Sequence, residues 1–96
     1  MEGVAVVDVS NINEVSVSLF KIPNIYRHQY NKGETSPANI TISGNYLFMD
    51  NYDKGVSMWN ISDPKYPVYI KNIPVNSKVC SVLADNNKLF IGLYNN

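Results

Sequence analysis

The chain is 96 residues long and carries eight Lys or Arg against eight Asp or Glu, so its formal charge is zero and no basic face advertises nucleic acid or anionic lipid. Hydrophobic residues make up 45 % of it, too many for a disordered chain, yet no apolar run approaches the ~20 residues that span a bilayer. The length holds one domain or part of one, and a lone Cys80 excludes an internal disulfide and a cysteine-based metal site.

Met1-Glu2-Gly3-Val4 lacks a basic segment leading into an apolar one, so no secretory signal is expected there. Helical periodicity is missing. Val, Ile, Tyr and Thr dominate the apolar positions, in short runs punctuated by Asn, Asp, Gly and Pro, as an all-β fold requires. Residues 3–23 hold two such runs, and residues 24–37 are the one long loop. Residues 38–74 hold four strands, expected at about Asn39–Ser43, Tyr46–Asn51, Gly55–Ile61 and Val68–Ile73. Ser43-Gly44-Asn45 is a tight turn in which Gly can take positive φ, and Tyr52-Asp53-Lys54-Gly55 is another. In Ser62-Asp63-Pro64-Lys65 the Pro presets φ, and Asn60 or Ser62 can bond the local backbone. Residues 75–96 hold two more strands within Lys78–Leu93. Cys80, inside the apolar Val79-Cys80-Ser81-Val82-Leu83, is expected to be a small buried thiol.

The runs repeat in register. Gly3-Val-Ala-Val-Val-Asp-Val-Ser-Asn11 matches Gly55-Val-Ser-Met-Trp-Asn-Ile-Ser-Asp63 at an offset of 52. Asn45-Tyr-Leu-Phe-Met49 matches Asn87-Lys-Leu-Phe-Ile91 at an offset of 42, which drops Tyr52 onto Tyr94. Ile22-Pro23 matches Ile73-Pro74 at an offset of 51. A unit of some 42 residues accounts for all three, with one extra residue before the first Ile-Pro and nine after it. Units of ~40–50 residues built from four short strands are the mark of β-propeller blades. The expected fold is therefore all-β, with blades of four antiparallel strands and two blades' worth per chain. Residues 3–23 give the last two strands of one blade, 38–74 a complete blade, and 75–96 the first two strands of a third.

These same segments, together with Ser43-Gly44-Asn45-Tyr46-Leu47, resemble LVIVD repeats. That family's blades carry a Gly-Leu-x-Val-(Val/Ile)-Asp-(Val/Ile)-Ser-(Asn/Asp)-Pro motif preceded by a Ser-Gly-Asn-Tyr-hydrophobic segment. The resemblance covers nearly the whole chain; it departs at Asn60, where the motif has Asp, and at Ile12, which stands where the second copy has Pro64. It implies a propeller and brings no catalytic residues, since LVIVD propellers look like binding or surface modules.

Gly3 to Asn96 spans an integral two-blade period whose break falls inside a blade, between its second and third strands. The run Lys88–Leu93 lacks a following strand and Gly3–Val9 a preceding one, and both are apolar. Another copy is expected to complete the blade, bringing Val4 and Val6 of one chain against Leu89, Phe90 and Ile91 of the next, so that the ring closes head to tail. A homotrimer with six blades is the favoured count and a homotetramer with eight the next; the alternative is a fragment of a larger propeller.

The 24–37 loop is the feature that the repeat does not require. Tyr26, Arg27, His28 and Tyr30 within it, with Tyr52, Asp53 and Tyr94 on the same face of the topology, are the candidate ligand-binding residues. Their flat faces and hydrogen-bonding tips suit a glycan, a peptide or a small polar ligand. The segment reads equally as a solvated insertion whose tyrosines rest on their neighbours. His28, the sole histidine, has no legible nucleophile or orienting partner, so no catalytic residue is assigned. Asp50-Asn-Tyr-Asp-Lys-Gly55 fails as a calcium loop because Tyr52 and Lys54 stand where oxygen ligands are needed; no metal or cofactor is expected. Trp59, aligned with Val7 in mid-strand, is expected to pack between blades, while Asn39-Ile-Thr41 and Asn60-Ile-Ser62 match the glycosylation pattern in or beside strands. The function expected is a non-enzymatic binding module made multivalent by ring assembly. Its rivals are a structural scaffold without ligand, natural or engineered, and a propeller hydrolase with its site at the ring's centre.

Overall fold

A computed structural model describes residues 3–11, 13–21, 39–51, 55–75 and 77–94. Among them are eight strands and no helix: β1 (Gly3–Asp8), β2 (Ser16–Lys21), β3 (Ile40–Ser43), β4 (Tyr46–Asp50), β5 (Val56–Asn60), β6 (Val68–Ile73), β7 (Lys78–Asp85) and β8 (Lys88–Tyr94). They form three antiparallel sheets, β1–β2, β3–β4–β5–β6 and β7–β8, in which every strand pairs with its neighbours in sequence.

Turn chemistry sets these pairings. Gly44 takes φ 57° between β3 and β4, while Asn86 and Asn87 take φ 49° and 64° between β7 and β8, so both hairpins close with the positive φ that matches strand twist. Gly55 opens β5 at φ 107°, and its carbonyl accepts the Asn51 N–H at 2.9 Å to close β4 onto β5. Between β5 and β6, Asn60 Oδ1 accepts from the Ser62 N–H at 2.8 Å and the Ser62 hydroxyl at 2.7 Å. A second such turn follows at once, with the Lys65 N–H donating to Asp63 Oδ1 at 3.2 Å.

The ladders repeat. Ile40↔Met49, Ile42↔Leu47 and Ser43↔Tyr46 of β3–β4 reappear 42 positions on as Val82↔Ile91, Ala84↔Leu89 and Asp85↔Lys88. Val7↔Val17 of β1–β2 reappears 52 positions on as Trp59↔Tyr69 of β5–β6. Beyond that pair the two ladders part, because a bulge makes Ile70 an extra residue on β6. Val56 then faces Ile73 where Val4 faces Phe20, so the positional counterpart of Ile73 is Phe20. Ile22 and Pro23 themselves lie outside the described residues.

The core lies on one face of the central sheet. Leu47 and Met49 alternate inward on β4, and Trp59 joins them from β5 at 2 % exposure, edge-on to Tyr69 with ring centroids 5.3 Å apart. Val4 from β1, with Ile61 and Tyr69, packs onto this cluster, so the β1–β2 sheet covers that face in part. Trp59 therefore sits at the junction of two sheets, with its indole N–H donating to Ser57 Oγ at 2.9 Å. The β7 strand lies against β3 and β4. There Thr41 Oγ1 accepts the Ala84 N–H at 3.0 Å and Asn39 Nδ2 donates to the Cys80 carbonyl at 3.1 Å.

Cys80 itself is exposed, which corrects the expectation of a buried thiol. The ladder steps from Val79↔Leu93 to Ser81↔Gly92, making Cys80 the extra residue of a bulge. Val79 takes the inward place instead, at 3 % exposure.

Candidate interaction surface

Among the described strands only β4 and β5 are paired on both sides; the edges include β1, which pairs with β2 alone, β8, which pairs with β7 alone, and β3, which pairs with β4 alone. In an antiparallel ladder alternate residues turn their N–H and C=O away from the partner, so each open edge offers a row of backbone donors and acceptors. Around these edges the apolar surface is uncovered. Leu83 and Phe90, opposite one another on β7–β8, are 60 % and 55 % exposed, and Ile40 and Ile42 on β3 are 46 % and 56 % exposed. A groove of about 330 Å³ runs between β1 and the central sheet, lined by Val4, Val6, Val7, Ile40, Ile42 and Leu47 among others. That volume holds roughly ten waters against an apolar wall, which favours any apolar occupant.

The end of β1 is charged. Asp8 Oδ1 accepts the Ser10 N–H at 2.9 Å and the Ser10 hydroxyl at 2.7 Å. The backbone bond from Ser10 first, then its hydroxyl, holds the Asp8 carboxyl below the usual aspartate range, with a smaller contribution from Lys65.

Of the residues singled out in the sequence, Tyr26, Arg27, His28, Tyr30, Tyr52 and Asp53 lie outside those described. Tyr94 ends the β7–β8 ladder opposite Lys78, with its side chain likewise outside them. Among the interface candidates Val4 is packed within its own chain, Val6, Leu89 and Ile91 are half-buried, and Phe90 is exposed. Ile40, Ile42 and Leu83 add to the uncovered apolar surface and are not among those candidates. Their alternation is readable in the sequence, but which of a strand's two faces stays bare depends on how the sheets stack. Among the described residues, no group of three or more His, Cys, Asp or Glu is placed to hold a metal ion, and no helix is long and apolar enough to cross a membrane.

No family model, no curated protein and no solved structure matches the chain.

Proposed function

We propose that this chain is a non-enzymatic interaction module that joins head to tail with copies of itself into a closed β-propeller of the LVIVD type. The observation that carries the reading is the repeated ladder. The β7–β8 hairpin has the register of the first half of the central sheet, and β1 and β2 reproduce the Trp59↔Tyr69 pairing of its second half. Joining β8 of one copy to β1 of the next builds a four-stranded antiparallel sheet in the order of β3–β4–β5–β6. Three copies then close six blades and four copies eight, within the range propellers adopt.

The small core supports self-association. Five buried hydrophobic side chains are found among the described residues, a modest core for a chain that must offset its ordering entropy. Each copy would bring one 24–37 segment to the ring, so Tyr26, Arg27, His28 and Tyr30 would recur around it, with Tyr52, Asp53 and Tyr94 nearby. A weak site for a glycan, peptide or small polar ligand gains avidity in that arrangement. Native mass spectrometry at micromolar concentration tests the assembly: a discrete trimer is expected, a tetramer is the next count, and a stable folded monomer overturns the reading.

A further inference from the structure

We propose that the groove between β1 and β3–β4 is the seat of the β7–β8 hairpin of a second copy, docked in one register that sets Lys88 of one copy opposite Asp8 of the next. The inference rests on the self-assembly proposed above and specifies the surface and alignment it uses.

The seat is defined by a contact already present within the chain. The β7 strand lies over one face of β3 and β4, with Thr41 meeting the Ala84 amide. Since β7–β8 repeats β3–β4 at an offset of 42, the same stacking can be transposed by one unit. Leu83 of the second copy then takes the place of Thr41, and Phe90 that of Phe48. Ile40 and Ile42 take the places of Val82 and Ala84. All four of these residues are about half exposed or more in the single chain. The transposed junction is apolar on both sides, and the groove beside β1 is where it falls.

The register follows from the central sheet. There β4 and β5 pair as Tyr46↔Asn60, Leu47↔Trp59 and Phe48↔Met58. Moving β4 forward by 42 positions and β5 back by 52 gives Lys88↔Asp8, Leu89↔Val7 and Phe90↔Val6 across the two copies. The apolar pairs stay apolar. The neutral Tyr–Asn pair becomes an ammonium opposite a carboxylate, a favourable cross-strand pair. A slip of one residue would set Lys88 against Val7 or Val9 and turn Leu83 and Phe90 away from Ile40 and Ile42. One register thus satisfies the edges, the apolar faces and the charges together.

Three variants of the full chain test this by native mass and by sedimentation over a dilution series. Leu83→Asp should yield monomer with reduced stability and β-type circular dichroism, because Leu83 is exposed in the single chain, its loss removes the seat, and the core left to the lone chain is small. Lys88→Glu should weaken association about fivefold per junction, and adding Asp8→Asn, which keeps the turn acceptor, should recover part of that loss by removing the like charge opposite. A monomeric parent chain overturns self-assembly altogether. An oligomer that survives Leu83→Asp keeps self-assembly but overturns this seat. Dissociation by Leu83→Asp with no recovery of Lys88→Glu by Asp8→Asn overturns the register.

Discussion

Asn60 occupies the turn that Asp8 occupies fifty-two positions earlier, with the same pair of hydrogen bonds to a serine two residues on, at 2.8 and 2.7 Å against 2.9 and 2.7 Å. The agreement continues past the serine. Asn11 Oδ1 accepts the Asn13 N–H and Asp63 Oδ1 the Lys65 N–H, while the Glu14 and Tyr66 amides close on the carbonyls of Asn11 and Asp63, each at 3.0 Å. What these two turns share at that position is therefore an oxygen acceptor on Cγ, which Asp and Asn supply alike.

The two turns differ in charge, and that difference predicts a pH effect. The Asp8 carboxyl is held below the usual range by its Ser10 bonds, so the folded state favours the ionised form. Its stabilisation is fully present above the unfolded value near 4 and is lost as pH falls through the lower folded value. Asp8→Asn should keep the turn, as Asn60 does, and remove this part of the acid sensitivity. Melting temperatures of parent and variant should converge as pH is lowered below about 4. A variant that melts lower by the same margin at every pH would show that the turn needs the carboxylate for geometry and not for charge.

The glycines at 44 and 55 predict unequal costs for the same substitution. Gly44 takes φ 57° with open space where a Cβ would stand, so Gly44→Ala meets only the left-handed backbone penalty, about 1 kcal/mol. Gly55 is buried at φ 107°, and a Cβ there would overlap the Ile73 carbonyl oxygen on the neighbouring strand. Gly55→Ala should cost about 3 kcal/mol or more by urea unfolding, since backbone must move as well as twist. Equal losses would mean that β5 and β6 separate at no cost.

Much of this fold was legible because its signals are local. Alternating Val and Ile runs, Ser43-Gly44-Asn45 and the Asn-x-Ser and Asp-x-Lys turns each carry their own geometry, and the strands fall where those signals end. Cys80 was misread because a bulge leaves no mark in an apolar run: nothing in Val79-Cys80-Ser81 says which residue is the extra one. The bare faces at Ile40, Ile42, Leu83 and Phe90 depend on how sheets stack, which a period of two along one strand cannot report.

Ser57 predicts a core effect. It is buried, accepts the Trp59 indole N–H at 2.9 Å and donates to the Met49 carbonyl at 3.4 Å, joining β5 to β4 beneath the indole. Ser57→Ala should cost about 1–3 kcal/mol. Trp59 is the chain's single tryptophan, so its fluorescence reports the change directly. A shifted emission maximum in the folded state is expected, and an unchanged spectrum with unchanged stability would remove the hydroxyl from the account.

Asn39 predicts the largest effect of a single added charge. Its amide nitrogen donates to Asp50 Oδ2 at 3.0 Å and to the Cys80 carbonyl at 3.1 Å, and its backbone N–H donates to Asp50 Oδ1 at 3.2 Å. The side chain thus ties β4 to the β7 bulge across two sheets. Asn39→Asp, the change that deamidation would make, replaces the donor with a carboxylate facing a carboxylate and a carbonyl. Like charges at that distance raise the pKa of the new group, so the folded variant favours its protonated form. Its penalty is present at neutral pH and is relieved as pH falls through the raised value, the reverse of the Asp8 case. The variant should therefore lose about 1–3 kcal/mol at pH 7 and approach the parent on acidification toward pH 4. Asn39→Ala removes the donor without adding charge, so its smaller loss should show no such recovery. If both variants lose stability equally at every pH, the Asp50 carboxylate is not facing position 39 and the tie between the sheets lies elsewhere.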